Sequence, residues 1–514
     1  MFARLRRAVL FTSAAALSAK AVIITASGDW DDVFYAAKKR LQPSLSRARK
    51  PRVVVLGSGW GALSFIQKLD QDAVDLTVVS PRSFFFYTPL LAGTATGTVS
   101  AASIMEPVRW CFPRSGHSRA SFVQAECTKI DPAAKSLTLQ APHLSPQTLD
   151  YDYLVVAVGA VPNTFNISGV RENTTFLKEV EDGMAIQRTL LHNLERASAL
   201  LAAAGPSPSA EVEAEAARLL SWVVIGGGPT GVELSAELTD FLRQEVRRYF
   251  PQLAPRVTIT LLEATDRVLG TFDRALSAAA AATLTSLGAR VLCGAAVTRV
   301  TPSAVEFRRT AGGEAGAVPH GGVCVWAGGV ARRPVVEAFA KAMDPAGALQ
   351  TSRHGLVVDP YFRVKGVADG SVFALGDCAV SGCAPTAQAA VQQGRYLGRA
   401  FRDALPALAQ EAPPLAPFTF RSRGALAYTG GGTGVAELAS LKRALWDAHP
   451  QKGGARGGEG ATTLEGAPAF AVWRGLYFSS ILSTSNQFRV AFDWFRTIAF
   501  GREISAPGGP GPAR

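Results

Sequence analysis

Two copies of one strand–glycine–helix unit predict an α/β fold with two Rossmann-like domains, and a basic, aromatic carboxyl end predicts a third, smaller unit. The first copy, PRVVVLGSGWGALSFIQKL (51–69), is a β-branched run, then glycines, then an amphipathic stretch. The second, LLSWVVIGGGPTGVELSAELTDFL (219–242), repeats that order, its first motif glycine (226) lying 169 residues after that of the first copy (57). A chain of 514 residues has room for two such domains and a tail. With 48% apolar residues and Gly and Pro spread along it, collagen-like and low-complexity classes are excluded.

The elements follow in order. Residues 1–50 hold ten Lys/Arg and three acids, so +7 of the net +12 lies in this tenth of the chain. The first 28 residues carry four basic groups, no acid, and much Ala and Ser, the composition of an organelle transit segment. A transmembrane anchor is the competing reading, because Ala8–Gly28 is apolar apart from Lys20 and some Ser/Thr. Lys20 in mid-segment and Ala rather than Leu speak against it. The remaining +5 shows no basic cluster in the folded domains, so a nucleic-acid partner is not expected.

DLTVVSP (75–81) reads as the second strand, followed by the aromatic loop SFFFYTPLL (83–91). YDYLVVAVGAVPN (151–163) is a buried strand ending in a glycine turn, and AAAGPSPSAEVEAEA (202–216) reads as an exposed insertion. RVTITLLEA (256–264), VCVWAGGVARRP (323–334) and GSVFALGDCA (370–379) are further strands. QKGGARGGEGATTLEGA (451–467) is low-complexity and reads as a mobile loop. The expected boundaries are a leader over 1–50, a first domain over 51–165 and 332–415, a second inserted over 166–331, and a C-terminal unit over 416–514.

The chemistry sits in the glycine turns. In Gly57-x-Gly59-x-x-Ala62, Gly57 permits the sharp turn, Gly59 lets backbone approach a pyrophosphate, and Ala62 allows close helix–strand packing. The acid usual at the end of the next strand is replaced by Ser80. Gly226-x-Gly228-x-x-Gly231 is a full fingerprint, and Glu263 ends its following strand, where a carboxylate can bond both hydroxyls of an adenosine ribose. That favours NADH over NADPH, a preference softened by nearby Arg267. Two dinucleotide sites in one chain point to a bound FAD and an exchanging nicotinamide. Gly376-Asp377 after an apolar strand fits a flavin ribityl contact. No CxxC, HxxxH or HExxH occurs, so no metal site is expected. Cys378 and Cys383 read as bystanders rather than a redox dithiol, so reduced flavin must pass electrons directly to an acceptor. Residues 470–500 carry nine aromatics with Arg474, Arg489 and Arg496, and Arg502 lies just beyond, a pattern suited to a membrane interface over 470–505. A membrane flavoenzyme without a dithiol points to a quinone.

With these residues in view, the chain resembles the type II (alternative, non-proton-pumping) NADH:quinone oxidoreductases, in their mitochondrial, plant, algal and protist branch. The resemblance lies in VVVLGSGWGA, VVSPRSFFFYTPLL, FLKEVEDGMAIQRTLLHNLE, VVIGGGPTGVELSAEL, FALGDCA, APTAQAAVQQGRYLG, GALAYTGG and DWFRTIAFGREIS, and covers nearly everything after residue 50. It implies a two-dinucleotide-binding flavoprotein with noncovalent FAD and NADH as substrate, whose C-terminal domain attaches it to one leaflet and forms a homodimer. The expected location is the mitochondrial inner membrane, peripherally, with a plastid membrane as alternative and ubiquinone or plastoquinone as acceptor. By this resemblance Gly57, Gly59 and Ala62 hold the FAD phosphates, Thr88 and Pro89 lie against the flavin ring, and Asp377 binds the ribityl chain. Gly226, Gly228 and Gly231 hold the NADH phosphates, with Glu263 on its ribose. Glu233 sits near nicotinamide and flavin and helps hydride or proton transfer, and Gln388 and Gln392 line the quinone end of the flavin. The family accepts Ser at position 80. It has His in some members where this chain has Val391, which puts proton delivery from that position in doubt. No DxDxDG loop is present, so calcium control is not expected. The alternative is a soluble flavoprotein of the same fold serving a protein acceptor, like a ferredoxin reductase or an apoptosis-inducing-factor-like enzyme.

Overall fold

The computed structural model describes residues 49–112, 120–405, 415–438 and 462–505. The expected leader, but for its last two residues, and positions 451–461 of the low-complexity stretch lie outside the described residues. Contacts divide the chain into two units. The larger is Arg52–Leu438 with Thr463–Arg514. Nearly all of the other, Met1–Pro51 with Ala439–Thr462, falls outside the described residues.

The chain enters on Arg52–Leu56 (β1), turns into helix Trp60–Lys68 (α1), and adds Asp75–Ser80 (β2), Ser121–Gln124 (β3) and Tyr153–Val156 (β4). It then leaves this sheet for a second one, made of Thr175–Phe176 (β5), Ser221–Ile225 (β6), Thr258–Leu262 (β7), Ala289–Leu292 (β8) and Cys324–Trp326 (β9). Val372–Ala374 (β10) returns to complete the first. The first sheet runs β10-β4-β1-β2-β3 and the second β5-β9-β6-β7-β8. Each central strand pairs in parallel with both neighbours: Val53 faces Leu76 and Tyr153, while Val224 faces Leu261 and Val325. Both sheets are buried on both faces, by helices and by a three-stranded antiparallel sheet each: Ile130, Leu137 and Leu139 share the core of the first, and Val300, Val305 and Val318 pack with Val223 and Ile225 of the second, which is why RVVVL and SWVVI are continuous apolar runs with scarcely an exposed residue.

Helix Val180–Ala204 (α2) links the domains and begins with a capping box, Glu179 and Asp182 satisfying each other's backbone N–H groups. The segment read as an exposed insertion is exposed or half-buried except at Ala216, and it is mostly helical. α2 runs to Ala204, and a second helix, Ala210–Leu219 (α3), starts at an N-cap Ser209 whose hydroxyl accepts from Val212 N–H. Pro206 and Pro208 are confined to the turn between them, and AEVEAEAARL is a good helix former that buries Ala216 and Leu219. The fingerprint helix of the second domain is Pro229–Phe241 (α4), and a long helix, Ala387–Ala404 (α5), follows β10. α5 lies directly on α1. A Cβ at Gly394 would stand 2.3 Å from Gly61 O and one at Gly398 2.5 Å from Phe65 O, so two glycines four apart set the distance between the helices.

The carboxyl end forms an antiparallel hairpin, Ala425–Gly430 (β11) and Thr433–Leu438 (β12), extended by Thr462–Glu465 (β13). Two helices close the chain, Gly466–Ser479 (α6) and Thr484–Phe500 (α7). α6 joins the core through Ala469 and Trp473, and α7 through Val490. No helix among the described residues is long and apolar enough to cross a membrane.

Candidate active site

The first glycine turn is shaped for a dinucleotide. Gly57 stands at φ +112°, donates its N–H to Val79 O at 2.8 Å, and a Cβ there would lie 2.3 Å from Ala157 O. Gly59 is the N-cap of α1 with no side-chain cap, and a Cβ on it would meet nothing within 4 Å. The first N–H groups of α1 therefore open onto free space, as a pyrophosphate requires. Ala62 is fully buried in the core of this domain. Ser80 is also buried; its Oγ lies 3.0 Å from Ser58 Oγ and accepts from Arg82 N–H at 3.2 Å, so a short hydroxyl network stands where the carboxylate is usual.

Thr88 opens the turn that carries Pro89, and its hydroxyl accepts the Trp60 indole N–H at 2.9 Å. Trp60 meets Phe85 and Tyr87 edge-on at 4.8 and 5.3 Å, which ties the aromatic loop to the start of α1. Gly376, at φ +73°, donates its N–H to Gln393 Oε1 at 2.7 Å. Asp377 faces Lys178 Nζ at 3.6 Å. The same rim carries a charge chain: Arg82 pairs with Glu179, and Glu179 with Arg333 at 3.7 Å. A Cβ on Gly159, in the turn after β4, also meets nothing within 4 Å. The open backbone at Gly59 and Gly159 and the turn-bound Asp377 fit an extended flavin dinucleotide.

The second turn repeats the first. Gly226 is at φ +111° with its N–H on Leu262 O at 2.8 Å. A Cβ on Gly231 would come within 1.8 Å of Gly226 O, while Gly228 is open. Glu263 is held in this turn. Its Oε2 accepts from Gly227 N–H at 2.5 Å, and its Oε1 accepts from the N–H and hydroxyl of Thr265 at 2.7 and 2.8 Å. Arg267 points away from it, donating to Gly270 O at 2.7 Å.

Glu233 is buried where α4 meets the C-terminal unit. Its Oε1 accepts from the Trp473 indole N–H at 3.1 Å and from Tyr428 N–H at 3.3 Å. Burial pushes its carboxyl up to about 8, against the pull of those two donors, and the Glu237 charge adds to the rise. At neutral pH it therefore carries a proton. Gln388 and Gln392 are both engaged with one stretch of backbone: Gln388 accepts from Arg423 N–H at 2.8 Å and donates to Gly424 O at 3.3 Å, while Gln392 accepts from Arg421 N–H at 3.0 Å and donates to Arg421 O at 2.9 Å. The pair pins 421–424 along α5. Gln393, which the sequence reading passed over, is the glutamine that reaches the Gly376 turn. Trp473 and Tyr428 were equally invisible as partners of Glu233.

All six cysteines are free thiols in the structure. Cys378 is fully buried, donates to Val156 O and Leu375 O at 3.3 and 3.2 Å, and burial pushes its thiol up to about 11. Its thiol is therefore held protonated and in no disulfide. Among the described residues no group of His, Cys, Asp and Glu could hold a metal ion.

Two glycine turns on twin parallel sheets, each open at the start of its helix, and six cysteines that are all free thiols define a two-dinucleotide flavoprotein reductase. The chain belongs to the pyridine nucleotide-disulphide oxidoreductase family, whose pattern matches residues 51–394, and residues 423–503 match the NDH2 C-terminal domain. It is 35% identical over 483 residues to an external NADH-ubiquinone oxidoreductase 2, mitochondrial, of Saccharomyces cerevisiae, covering 89% of this chain and 82% of that protein. It is 34% identical to a probable NADH dehydrogenase of Dictyostelium discoideum, over 92% and 96% of the two chains. The structure superimposes on that of NDH2 from Plasmodium falciparum in complex with NADH with a TM-score of 0.78 at 25% identity, covering 89% of this chain and all of that one. The sulfide:quinone oxidoreductase of Aquifex aeolicus shares the fold, at TM-score 0.61 and 17% identity over 90% and 99% of the chains.

Proposed function

We propose that the protein oxidises NADH and passes two electrons through a noncovalent FAD to a membrane quinone, without pumping protons. The observation that carries this reading is the pair of open glycine turns, together with a buried Cys378 whose thiol burial pushes up to about 11. Gly57, Gly59 and Ala62 hold the FAD phosphates, Thr88 and Pro89 line the ring, and Asp377 takes the ribityl chain. Gly226, Gly228 and Gly231 hold the NADH phosphates, and Glu263 faces its ribose. When bound, FAD accepts hydride from NADH and releases two electrons to the acceptor. Glu233 keeps a proton beside this chemistry in a wall dry enough to leave it neutral. Gln388 and Gln392 hold the 421–424 backbone at the quinone end. NADH supplies one proton with its hydride, quinol needs two, and the second comes from solvent.

Purified protein is expected to show flavin absorbance and to oxidise NADH with a short-chain quinone. Protein without flavin, or NADH oxidation that goes to oxygen but not to quinone, rejects the reading. A soluble reductase for a protein acceptor is the other use of the fold, and the tail argues against it. On α7, Phe488, Phe492, Phe495 and Ile498 are 60–74% exposed. Their spacing of four, three and three puts them on one face of the helix, with Arg489 and Arg496 close by. We assign this face to an anionic lipid surface, the inner mitochondrial membrane, in line with the mitochondrial names of the relatives and the basic leader; a dimer is the competing occupant. F488S/F492S/F495S is expected to lose about a hundredfold in liposome affinity, at ~1 kcal/mol per phenyl ring. Unchanged liposome binding with a broken dimer would assign the face to a second copy instead.

A further inference from the structure

The cavity beside Glu233 holds a charge arrangement that the scheme above leaves unused. About 490 Å³ in volume, it has Glu233, Glu237, Asp240 and Glu245 along one wall. Positions 233, 237 and 240 share a face of α4 by helical spacing, and the π-turn Leu242–Val246 inserts the extra residue that keeps Glu245 in line. Four carboxyl groups along one buried wall repel one another when ionised.

Three of them are held by donors from elsewhere. Glu237 Oε2 accepts from Thr96 Oγ1 at 3.0 Å, Thr98 Oγ1 at 2.5 Å and Arg502 Nη2 at 3.3 Å. Asp240 accepts from the Tyr428 hydroxyl and from Gly431 N–H at 2.9 Å. Glu245 Oε1 accepts Arg502 N–H at 2.8 Å, while its Oε2 has no hydrogen-bond partner among the described residues. Arg502 is itself buried, with Nε on Thr98 Oγ1 at 2.9 Å and Nη1 on Gln244 Oε1 at 2.7 Å. Among the described residues Glu237 is the one of the four paired with a cation; Glu233 has the neutral donors of Trp473 and Tyr428. The other groups around it are Tyr87 from the aromatic loop and Tyr477 from α6. Two further cations line the cavity: Arg248, just past the π-turn, and Arg474 from α6, whose guanidinium lies over the rings of Phe470 and Trp494 at 5.0 and 4.5 Å.

We propose that Arg502 is a positioning residue for the Glu233 carboxyl: brought in by the C-terminal tail, its guanidinium pairs with Glu237 one helical turn away while its backbone N–H holds Glu245, so that the tail fixes the charge next to which Glu233 takes up and releases a proton. This rests on the reading that Glu233 takes part in NADH oxidation. The tail that follows the exposed face of α7 thus sets the charge balance of the buried site. Arg502 is not a surface residue of a lipid-binding patch; its buried guanidinium is the ion-pair partner of Glu237.

The test follows the infrared carbonyl band of protonated Glu233 in the holoenzyme, assigned by its loss in E233Q, as a function of pH. In R502Q the Glu237 charge is uncompensated, so the Glu233 midpoint is expected to rise by about one pH unit. In E237Q the repelling anion is gone and Arg502 is unpaired, so the midpoint is expected to fall by about as much. R502K, which keeps the charge, should stay near wild type. A tail that served packing alone would let water in on either substitution and lower both midpoints. An R502Q midpoint that is unmoved or lower overturns the proposal. If R502Q does not fold, an E237Q midpoint that is unmoved or higher overturns it equally. The two readings fail separately: E233Q with undiminished quinone turnover would reject the role of Glu233 while the infrared midpoints still report on Arg502.

Discussion

Gly57→Ala is expected to yield a folded protein that purifies without flavin and neither binds FAD at micromolar concentration nor reduces quinone. Two physical facts combine there. The residue sits at φ +112°, where an L side chain is strained by roughly 1–2 kcal/mol or more. The added Cβ would also overlap Ala157 O at 2.3 Å, a backbone atom of the neighbouring strand turn that has no rotamer to move. Relief requires β1 and β4 to separate at the point where the α1 N–H groups are aimed at the phosphates. The loss therefore falls on the cofactor before it falls on the fold, which α1 and α5 still clamp together through Gly394 and Gly398. The measurement is the 450 nm flavin absorbance per protein with circular dichroism alongside. A variant that retains stoichiometric FAD would show that the turn has more give than this geometry allows. Gly231→Ala, with a Cβ 1.8 Å from Gly226 O, is the matching change in the second domain and should weaken NADH while leaving FAD in place.

The glycine turns were legible because each glycine answers a demand that is local in sequence: a turn, a close approach, a helix start. The strands beside them were legible for the same reason, since burial on both faces writes a continuous apolar run. The environment of Glu233 was not. Its donors Tyr428 and Trp473 stand 195 and 240 residues away, and Arg502 lies 265 residues beyond Glu237. No periodicity connects them. Gln388 and Gln392 show the intermediate case: their one-turn spacing was visible, but their engagement with the backbone of 421–424 depends on how the chain returns. The segment 202–216 is largely exposed, as its prolines, glycine and acids suggested, but its helices on either side of the turn were not foreseen. Local punctuation gave the turn but not the flanking helices.

Glu233→Gln is expected to change both the stability curve and the pH profile, in directions fixed by one proton. Native Glu233 keeps its proton up to about pH 8, whereas in the unfolded chain a glutamate ionises near pH 4.3. Between those values the unfolded state binds fewer protons than the native state, so this group lowers stability as pH rises, by about 1.4 kcal/mol per pH unit. Below the unfolded value both states are protonated and above about 8 both are ionised, so the slope vanishes at either end. Glutamine has nearly the same shape, can accept from Trp473 and Tyr428 through its amide oxygen, and never ionises. The variant should therefore lose this downward slope and be more stable than wild type at pH 8, by an amount on the order of 5 kcal/mol. Thermal midpoints from pH 5 to 9 with FAD in excess test it; parallel curves for the two proteins would mean that Glu233 is not a buried neutral acid. Turnover should move the other way. An amide cannot give up a proton, so quinone-coupled kcat is expected to fall by about a hundredfold, and the arm of the pH profile near 8 should disappear with FAD still bound. A gain in stability together with a loss in rate at one residue is the signature of a group kept for its chemistry. Burial there makes the ionised carboxylate costly to fold around, and the same burial keeps a proton available at neutral pH.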